Sequence, residues 1–304
     1  MSQKIVMNYV EKYKEKIDCG ISDEIERRLR EVEQISSQLV PVLTAIEELS
    51  VGGKRLRAML TLLGYEMAGG KVSGEVIKAG VVMELFHLGL LIQDDVMDRD
   101  IKRRGVATIH TRFDDLHLGE AIATSAGDVT FGWGMETIAG LDLPQNQVNA
   151  AIKVWGKYFS RVGYGQMLDV MRIADEKTLL TVLALKSGEY SCVLPLLLGA
   201  TLGGGNKKLL ESLEKYGMEL GWVFQLRDDW LAEYGDSEKM GKLVGSDSRE
   251  GKKTLATMYG REKLEAEIKD HVVLAKKIAR NLQGLSSQAD LMCSLVKWIG
   301  TREN

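Results

Sequence analysis

Residues 76–100 read VIKAGVVMELFHLGLLIQDDVMDRD, an apolar stretch that runs directly into a group of acidic residues. Apolar side chains lie on nearly every face of a helix over 76–92, which is typical of a helix at the centre of a bundle rather than at its surface. Such a helix would be expected to end in solvent or in a cap, yet four carboxylates follow this one: Asp94, Asp95, Asp98 and Asp100. The stretch therefore predicts an all-α protein with a charged site at the end of a central helix.

The spacing of these carboxylates indicates a metal site. Asp94 and Asp98 are four residues apart and share a helix face, with Asp95 beside them. Carboxylates this close repel one another unless a cation lies between them, and Mg²⁺ is held by a few carboxylates together with water and substrate phosphate. On this motif alone, an acidic helix end paired with neighbouring arginines and lysines is an equally good interpretation.

A second acidic helix end favours the metal site. Residues 217–230 read GMELGWVFQLRDDW, and Gln225, Asp228 and Asp229 lie on one side of the predicted helix. Two such ends, more than 130 residues apart in the chain, can face one cavity in an antiparallel bundle, where bundles hold their cofactors. Basic residues are the usual ligands of phosphate oxygens. Arg103 and Arg104 follow the first acidic group, Lys242, Lys252 and Lys253 follow the second, and Lys54 and Arg57 stand at a predicted helix start after Gly52-Gly53.

The composition suits a large helical protein. The chain has 304 residues, of which 45% are hydrophobic and only 3 are proline, and its mean hydropathy is −0.10, so long uninterrupted helices and a large core are expected. Forty basic residues against 43 acidic ones give a net charge of −3, which excludes a generic basic nucleic-acid binder.

Apolar periodicity predicts a single domain over 1–304, a bundle of roughly ten or more helices around a central cavity. No linker, repeat or shift in composition divides the chain. The predicted helices lie near 3–18, 22–49 with a break at Pro41, 54–68, 74–99, 117–139, 145–172, 177–190, 192–203, 207–234, 258–283 and 287–300.

The cysteines and the N-terminal residues indicate a cytoplasmic protein. Cys19, Cys192 and Cys293 lie far apart, with no CxxC pair and no cluster of histidines, which is typical of reduced thiols. The first 18 residues are charged throughout and lack the apolar core of a secretory signal. No stretch reaches 18 uncharged apolar residues, so no membrane span is expected.

The ordered set of motifs is more specific than any one of them. It comprises Gly53-Lys54-Arg55-x-Arg57, His87 seven residues before Asp94-Asp95-x-x-Asp98, Arg103-Arg104-Gly105, Lys186-Ser187, Phe224-Gln225-x-x-Asp228-Asp229, Gly241-Lys242 and Gly245-Ser-Asp247. This order, over roughly residues 40–260, resembles the trans-isoprenyl diphosphate synthases, the polyprenyl synthetase family, and is most like its geranylgeranyl diphosphate synthases.

The resemblance implies a prenyltransferase, acting as a homodimer, that condenses isopentenyl diphosphate with an allylic diphosphate and releases diphosphate. It implies three Mg²⁺ ions on the allylic diphosphate, held by Asp94, Asp95, Asp98, Asp228 and Asp229. The resemblance also implies that this diphosphate is bound by Arg103, Lys186, Gln225 and Lys242, with Ser187 beside the nascent carbocation. The isopentenyl diphosphate site would be formed by Lys54, Arg57, His87 and Arg104.

One position departs from the family pattern. The second motif usually reads DDxxD, but here Ala232 stands at its fifth position and the next aspartate is Asp236. In a continuous helix Asp236 would lie about 12 Å from Asp228, too far to share one ion directly. The departure bears on the affinity for the third metal more than on the activity.

The residues before the first aspartate predict the product length. Family members that stop at C15 carry an aromatic residue four or five positions before this aspartate, where this chain has Leu90 and Gly89. The first aromatic residue is Phe86, eight positions back, and four residues of helix rise about 6 Å, close to one isoprene unit. We therefore expect chiefly C20, geranylgeranyl diphosphate, with Phe86 as the floor of the cavity and Gly89→Phe shortening the product to C15. A C15 product, a product of C25 or more, or a floor formed by a neighbouring helix, is the alternative.

Two other functions fit part of the pattern. A class I terpene cyclase also pairs two metal motifs on an all-α fold, but it needs no second diphosphate pocket of the kind that Lys54, Arg57 and Arg104 suggest. A non-catalytic regulatory subunit of a heteromeric synthase would usually lack acidic residues, as at Ala232, although both motifs otherwise keep theirs.

Overall fold

The computed structural model describes residues 2–173, 175–235, 254–282 and 286–302. Helices make up most of these residues, and the one sheet among them is an antiparallel hairpin of β1 (Lys102–Arg103) and β2 (Val106–Ala107). The predicted all-α class is therefore confirmed. The α-helices are α1 (Ser2–Ile35), α2 (Val40–Ser50), α3 (Leu56–Met67), α4 (Gly74–Asp98), α5 (Leu116–Ala139), α6 (Gln145–Val170), α7 (Glu176–Val182), α8 (Leu194–Leu202), α9 (Lys207–Tyr234), α10 (Leu255–Arg280) and α11 (Ser286–Thr301).

The chain forms two compact units. The first unit comprises Val10–Leu62 and Val72–Ile152, and the second comprises Met1–Tyr9, Leu63–Lys71 and Lys153–Asn304. Because α1, α3 and α6 each contribute residues to both units, no unit corresponds to one continuous stretch of the sequence. The prediction of a single domain over 1–304 stays a prediction.

Helix α4 is the central helix of the first unit, as its apolar composition predicts. Every residue of the range 81–86 is buried, and the helix packs along α5. Gly80 lets α4 approach two other helices, since a Cβ there would lie 2.9 Å from Ile17 Cδ1 and 3.4 Å from Ala58 Cβ. The buried position of α4 brings its acidic end to a defined place in this unit.

Helix α1 corrects two predicted boundaries. The predicted break near Cys19-Gly20 is wrong, because α1 continues through Gly20, where a Cβ would lie only 2.7 Å from Val81 Cγ2. This glycine permits close packing rather than a turn. The predicted break within 22–49 lies at Ser36 instead of Pro41, and the proline occupies the first turn of α2, where its missing N–H costs no hydrogen bond.

The second unit contains a π-helix that periodicity did not predict. Helix α7, a π-helical stretch at Leu183–Val193 and α8 follow one another without interruption, so the predicted break at position 191 is wrong. The π-helix packs against α9 through two glycines, since a Cβ on Gly221 would lie 2.2 Å from Gly188 Cα. π-Helical segments are rare and are frequent at functional sites.

Replacing Gly221 with alanine should lower the free energy of unfolding by about 1–3 kcal/mol, because the added methyl group would push α9 away from the π-helix. Thermal and urea denaturation measure the change. The matched control is Gly163→Ala on α6, where a Cβ would meet nothing within 4 Å, so its stability should be unchanged or slightly increased. Equal stability of the two variants would contradict the close contact.

One helical run of the described chain, Glu176–Leu202, is long and apolar enough to cross a membrane. However, 72% of its most apolar window is buried inside the structure. A core helix outside any membrane meets the same criteria, so the run does not by itself show a membrane span.

Candidate active site

The acidic end of α4 forms the first part of the site. Asp94 is half-buried, Asp95 is buried and Asp98 is exposed, and the helix is capped by Arg99, whose backbone is left-handed with φ 58°. The carbonyl groups at a helix C-terminus already carry a partial negative charge. Three carboxylates at this end therefore create a negative potential that favours binding of a cation.

Asp95 is directed towards Arg103 on β1. Arg103 Nε donates a hydrogen bond of 2.5 Å to Asp95 Oδ1, while Asp95 Oδ2 is buried without a hydrogen-bond partner. Burial raises the pKa of Asp95 to about 6, although the charge of Arg103 and its hydrogen bond act in the opposite direction. Asp95 thus anchors Arg103 beside the acidic group.

The donor set fits Mg²⁺ brought in with a phosphate better than a closed protein cage. Within the described ranges, no three or more histidine, cysteine or acidic side chains are grouped so that they could hold a metal ion by themselves. Asp94 and Asp98 offer two carboxylates on one helix face. Mg²⁺ commonly takes one or two carboxylates and completes its octahedron with water and substrate phosphate oxygens.

A cationic cluster lies in the same unit, where the chain between α2 and α3 meets the hairpin. Gly52 and Gly53 have φ values of 84° and 93°, and a Cβ on Gly53 would lie 3.4 Å from Arg104 Nη2. Arg104 Nη1 also donates to the carbonyl oxygen of Val51 at 3.2 Å. The structure thereby brings Arg104 next to the segment that carries Lys54, although these residues are about 50 positions apart in the chain.

Electrostatics support the same grouping around His87. Desolvation by the surrounding protein atoms, then the positive charges of Arg57 and Arg104, lower the pKa of His87 well below its usual value. Desolvation and the neighbouring charge of Arg55 also lower the pKa of Arg104. A group of cations that disfavour one another in this way is stabilised by an anionic ligand. Arg57, His87 and Arg104 therefore belong to one positively charged region, and Lys54 stands beside it in the segment that follows Gly53.

In the second unit, the π-helix presents Lys186 and Ser187. Lys186 Nζ donates to Asp169 Oδ2 at 2.7 Å, and Ser187 Oγ donates to Gln225 Oε1 at 2.6 Å. Gln225 Nε2 in turn donates to Asp229 Oδ1 at 2.8 Å. A hydrogen-bond chain thus joins Ser187, Gln225 and Asp229, which belong to two motifs about 40 residues apart in the chain.

The leading aspartate of the second motif has a partner that the sequence did not indicate. Arg302, directly after α11, donates a hydrogen bond to Asp228 Oδ1 and another of 3.3 Å to the carbonyl oxygen of Phe224. Arg302 is not part of any of the motifs. Asp169 was also missed, although it is an acidic residue at the end of an amphipathic helix. Ala232 is half-buried on α9, while Lys242 and Asp236 lie outside the described residues.

The predicted chain-length residues lie on one side of α4, since Gly89 and Leu90 follow Phe86 by three and four positions. Phe86 is fully buried and its ring meets that of Phe131 on α5 edge to face, with centroids 5.4 Å apart. Leu90 is half-buried. Position 89 faces α5, because a Cβ on Gly89 would lie 2.1 Å from Thr130 Oγ1 and 2.9 Å from the Gly127 carbonyl oxygen. A phenylalanine there would also press on α5, and the shortening of the product by Gly89→Phe stays a prediction.

Comparison with known proteins gives the family. The sequence profile of the polyprenyl synthetase family matches residues 41–287. A geranylgeranyl diphosphate synthase from Methanosarcina mazei is 34% identical over 254 residues, which cover 79% of this chain and 76% of that protein. A short chain isoprenyl diphosphate synthase from Methanothermobacter thermautotrophicus is 31% identical over 283 residues, which cover 88% of this chain and 79% of that protein.

Solved structures share the fold. A geranylgeranyl pyrophosphate synthase from Corynebacterium glutamicum, complexed with isoprenyl diphosphate and magnesium, has a TM-score of 0.85 at 22% identity, covering 96% of this chain and 99% of that one. A geranylgeranyl pyrophosphate synthetase from Pyrococcus horikoshii has a TM-score of 0.82 at 25% identity and covers 99% of each chain. With the ordered motifs, the acidic end of α4 and the extent of the profile match, the chain belongs to the polyprenyl synthetase family and is a prenyltransferase.

Proposed function

We propose that this enzyme condenses isopentenyl diphosphate with an allylic diphosphate to make chiefly C20 geranylgeranyl diphosphate, and that it works as a cytoplasmic homodimer. The observation that carries the proposal is the layout of α4. This helix ends in the carboxylates Asp94 and Asp98 and holds His87, within the cationic cluster, two turns earlier. Two turns of helix rise about 10 Å, so residues of one helix can act on two separate diphosphate groups, as a reaction between two diphosphate substrates requires.

Each group of residues has a task in this reaction. Asp94, Asp98 and Asp228 are the proposed principal Mg²⁺ ligands, with Asp95 and Asp229 in support, and three ions are proposed. Bound Mg²⁺ would neutralise the diphosphate leaving group, so that the allylic C–O bond can ionise. The relative from Corynebacterium glutamicum, which was solved with isoprenyl diphosphate and magnesium, supports this choice of metal.

The remaining polar residues bind and orient the substrates. Arg103, anchored by Asp95, and Lys186, anchored by Asp169, would hold the allylic diphosphate by charge-assisted hydrogen bonds, with Gln225 and Lys242 in the same role. The bonded amide and hydroxyl of Gln225 and Ser187 offer dipoles to the positive charge that develops on the allyl group. The isopentenyl double bond attacks this carbon, and the proton then released passes to the departed diphosphate. Apolar side chains of α4 exclude water that would quench the cation.

Product analysis tests the proposal directly. The purified chain is incubated with Mg²⁺, isopentenyl diphosphate and, in turn, a C5, C10 or C15 allylic diphosphate, and the dephosphorylated alcohols are separated by chromatography. We expect a C20 alcohol from each primer. A product without isopentenyl diphosphate would indicate a cyclase, and no product from the chain alone would indicate a regulatory subunit. A main product of C15, or of C25 and above, would overturn the proposed length.

Replacing Phe86 with alanine should shift the main product beyond C20, because it removes the buried ring that meets Phe131 and extends the space along α4 by about one isoprene unit per turn. The same chromatography measures the shift. Leu85→Ala is the matched control, since Leu85 is equally buried but points about 100° away around the helix. An active Phe86→Ala enzyme that still stops at C20 would exclude Phe86 as the floor.

A further inference from the structure

We propose that Asp18, on the N-terminal helix α1, is a positioning residue for the binding of isopentenyl diphosphate. Together with Glu84 it holds Arg55, and Arg55 in turn fixes the cationic segment 51–57. The inference rests on the proposed function. It concerns a part of the chain outside the residues that match the family profile, which begin at position 41.

Arg55 connects this segment to two helices. Its Nε donates to Asp18 Oδ1 on α1 at 2.6 Å, its Nη2 donates to the carbonyl oxygen of Ser50 at 2.8 Å, and its Nη1 lies 3.7 Å from Glu84 Oε2 on α4. The Arg55 side chain is only 7% exposed. This arginine therefore points into the first unit, although Lys54 beside it is exposed.

The backbone of the segment requires such an anchor. Arg55 has a left-handed φ of 52°, after the two glycines Gly52 and Gly53 with positive φ. A residue with a Cβ is unfavourable in this conformation and keeps it only where its surroundings impose it. The buried contacts of the guanidinium with Asp18, Ser50 and Glu84 provide that constraint.

Glu84 fixes the other flank of the segment. Its Oε1 accepts a hydrogen bond of 3.0 Å from the N–H of Ala58, in the first turn of α3, where backbone N–H groups have no partner within the helix. The network thus holds the chain before Lys54, at Ser50, and after Arg57, at Ala58. It fixes the backbone from which both cations of the binding segment extend.

Asp18, like Glu84, belongs to none of the motifs. Burial alone would raise the pKa of Asp18, but hydrogen bonds from Lys14 and Arg55 hold it below its usual value, so the carboxylate is charged at neutral pH. Loss of this charge would leave Arg55 bound to Glu84 and Ser50 alone. A displacement of about 1 Å in a substrate-positioning group can lower the rate by up to about 10²-fold. A shift of Arg55 should therefore alter the binding of isopentenyl diphosphate.

Asp18→Asn in the full-length enzyme tests the inference. We expect KM for isopentenyl diphosphate to rise about tenfold or more, with KM for the allylic substrate changed by less than about twofold. Calorimetric titration with isopentenyl diphosphate, without Mg²⁺ or allylic substrate, should give the same loss of affinity. Arg55→Lys, which keeps the charge but loses the forked geometry, should show the same selective change.

The matched control is Asp23→Asn, which changes the same residue type on the same helix at an exposed position and should leave both KM values unchanged. A folded Asp18→Asn enzyme with wild-type affinity for isopentenyl diphosphate would overturn the inference while leaving the proposed function intact. Equal increases in both KM values would show a general structural role and would overturn it as well. If Asp18→Asn does not fold, Glu84→Gln is measured against the same criteria. A wild-type chain that does not bind isopentenyl diphosphate would instead overturn the proposed function.

Discussion

Replacing Asp94, Asp98 or Asp228 with alanine should reduce kcat/KM for the allylic substrate by about 10²-fold or more. Each change removes a proposed Mg²⁺ ligand, and the loss of one such ligand should cost several kcal/mol of transition-state stabilisation. The half-buried Asp94 and the exposed Asp98 lie at a helix end that already disfavours negative charge. Steady-state kinetics at several Mg²⁺ concentrations measure the loss. Isothermal titration with the allylic diphosphate, with and without Mg²⁺, should show that the Mg²⁺-dependent part of binding is reduced.

Two exposed aspartates serve as controls, Asp114 in the first unit and Asp270 on α10 in the second. Their alanine variants should retain wild-type activity and Mg²⁺ dependence. Asp228→Ala needs one more control, because it also removes a hydrogen-bond partner of Arg302. If Arg302→Ala reproduces the whole loss, the defect of Asp228→Ala lies in the position of Arg302 rather than in the metal. Wild-type turnover by any of the three aspartate variants would exclude that residue as a required ligand.

The residues that could be predicted from the sequence are those whose neighbours in the chain determine their surroundings. The apolar run before Asp94 requires a buried helix wherever it packs, and helical periodicity then places Asp94 and Asp98 on one face. The sequence shows basic residues that could bind phosphate, but their assignment to the proposed isopentenyl site rests on the resemblance of the motif order to a known family. Spacing alone could not bring Arg104 next to Gly53, because that contact depends on how the hairpin folds back.

The features that could not be predicted depend on contacts between distant segments. Gly20 looks like a helix break, but in the structure it fits against Val81 within a continuous helix. The π-helix arises in an apolar stretch whose periodicity is equally compatible with an α-helix, and its contact with α9 joins Ser187 to Gln225. Asp95 was predicted as a metal ligand and stays one in the proposal, but its burial against Arg103 could not be inferred from its place between two other acidic residues. Arg302 has no local signal at all.

Alanine substitution of Arg104, Lys54 or Arg57 should raise KM for isopentenyl diphosphate by about 10- to 100-fold while KM for the allylic substrate changes by less than about threefold. A charge-assisted hydrogen bond contributes about 1.5–3 kcal/mol, and removing one cation from the cluster removes such a bond to the extender diphosphate. Arg104 should give the largest change, because its contacts with Val51 and Gly53 also join the hairpin to the binding segment. Steady-state kinetics with each substrate varied in turn measure the two KM values.

Lys102→Ala provides the matched control, since Lys102 is an exposed cation on the same hairpin, two residues before Arg104. If a general loss of positive potential were the cause, Lys102→Ala would raise both KM values in a manner that depends on salt concentration. A specific site predicts instead that Lys102→Ala is silent and that Arg104→Ala raises KM for isopentenyl diphosphate selectively at every salt concentration. Equal effects of Arg104→Ala on both substrates would show that the cationic cluster does not distinguish the extender from the allylic diphosphate, and the assignment of two separate diphosphate sites would then be wrong.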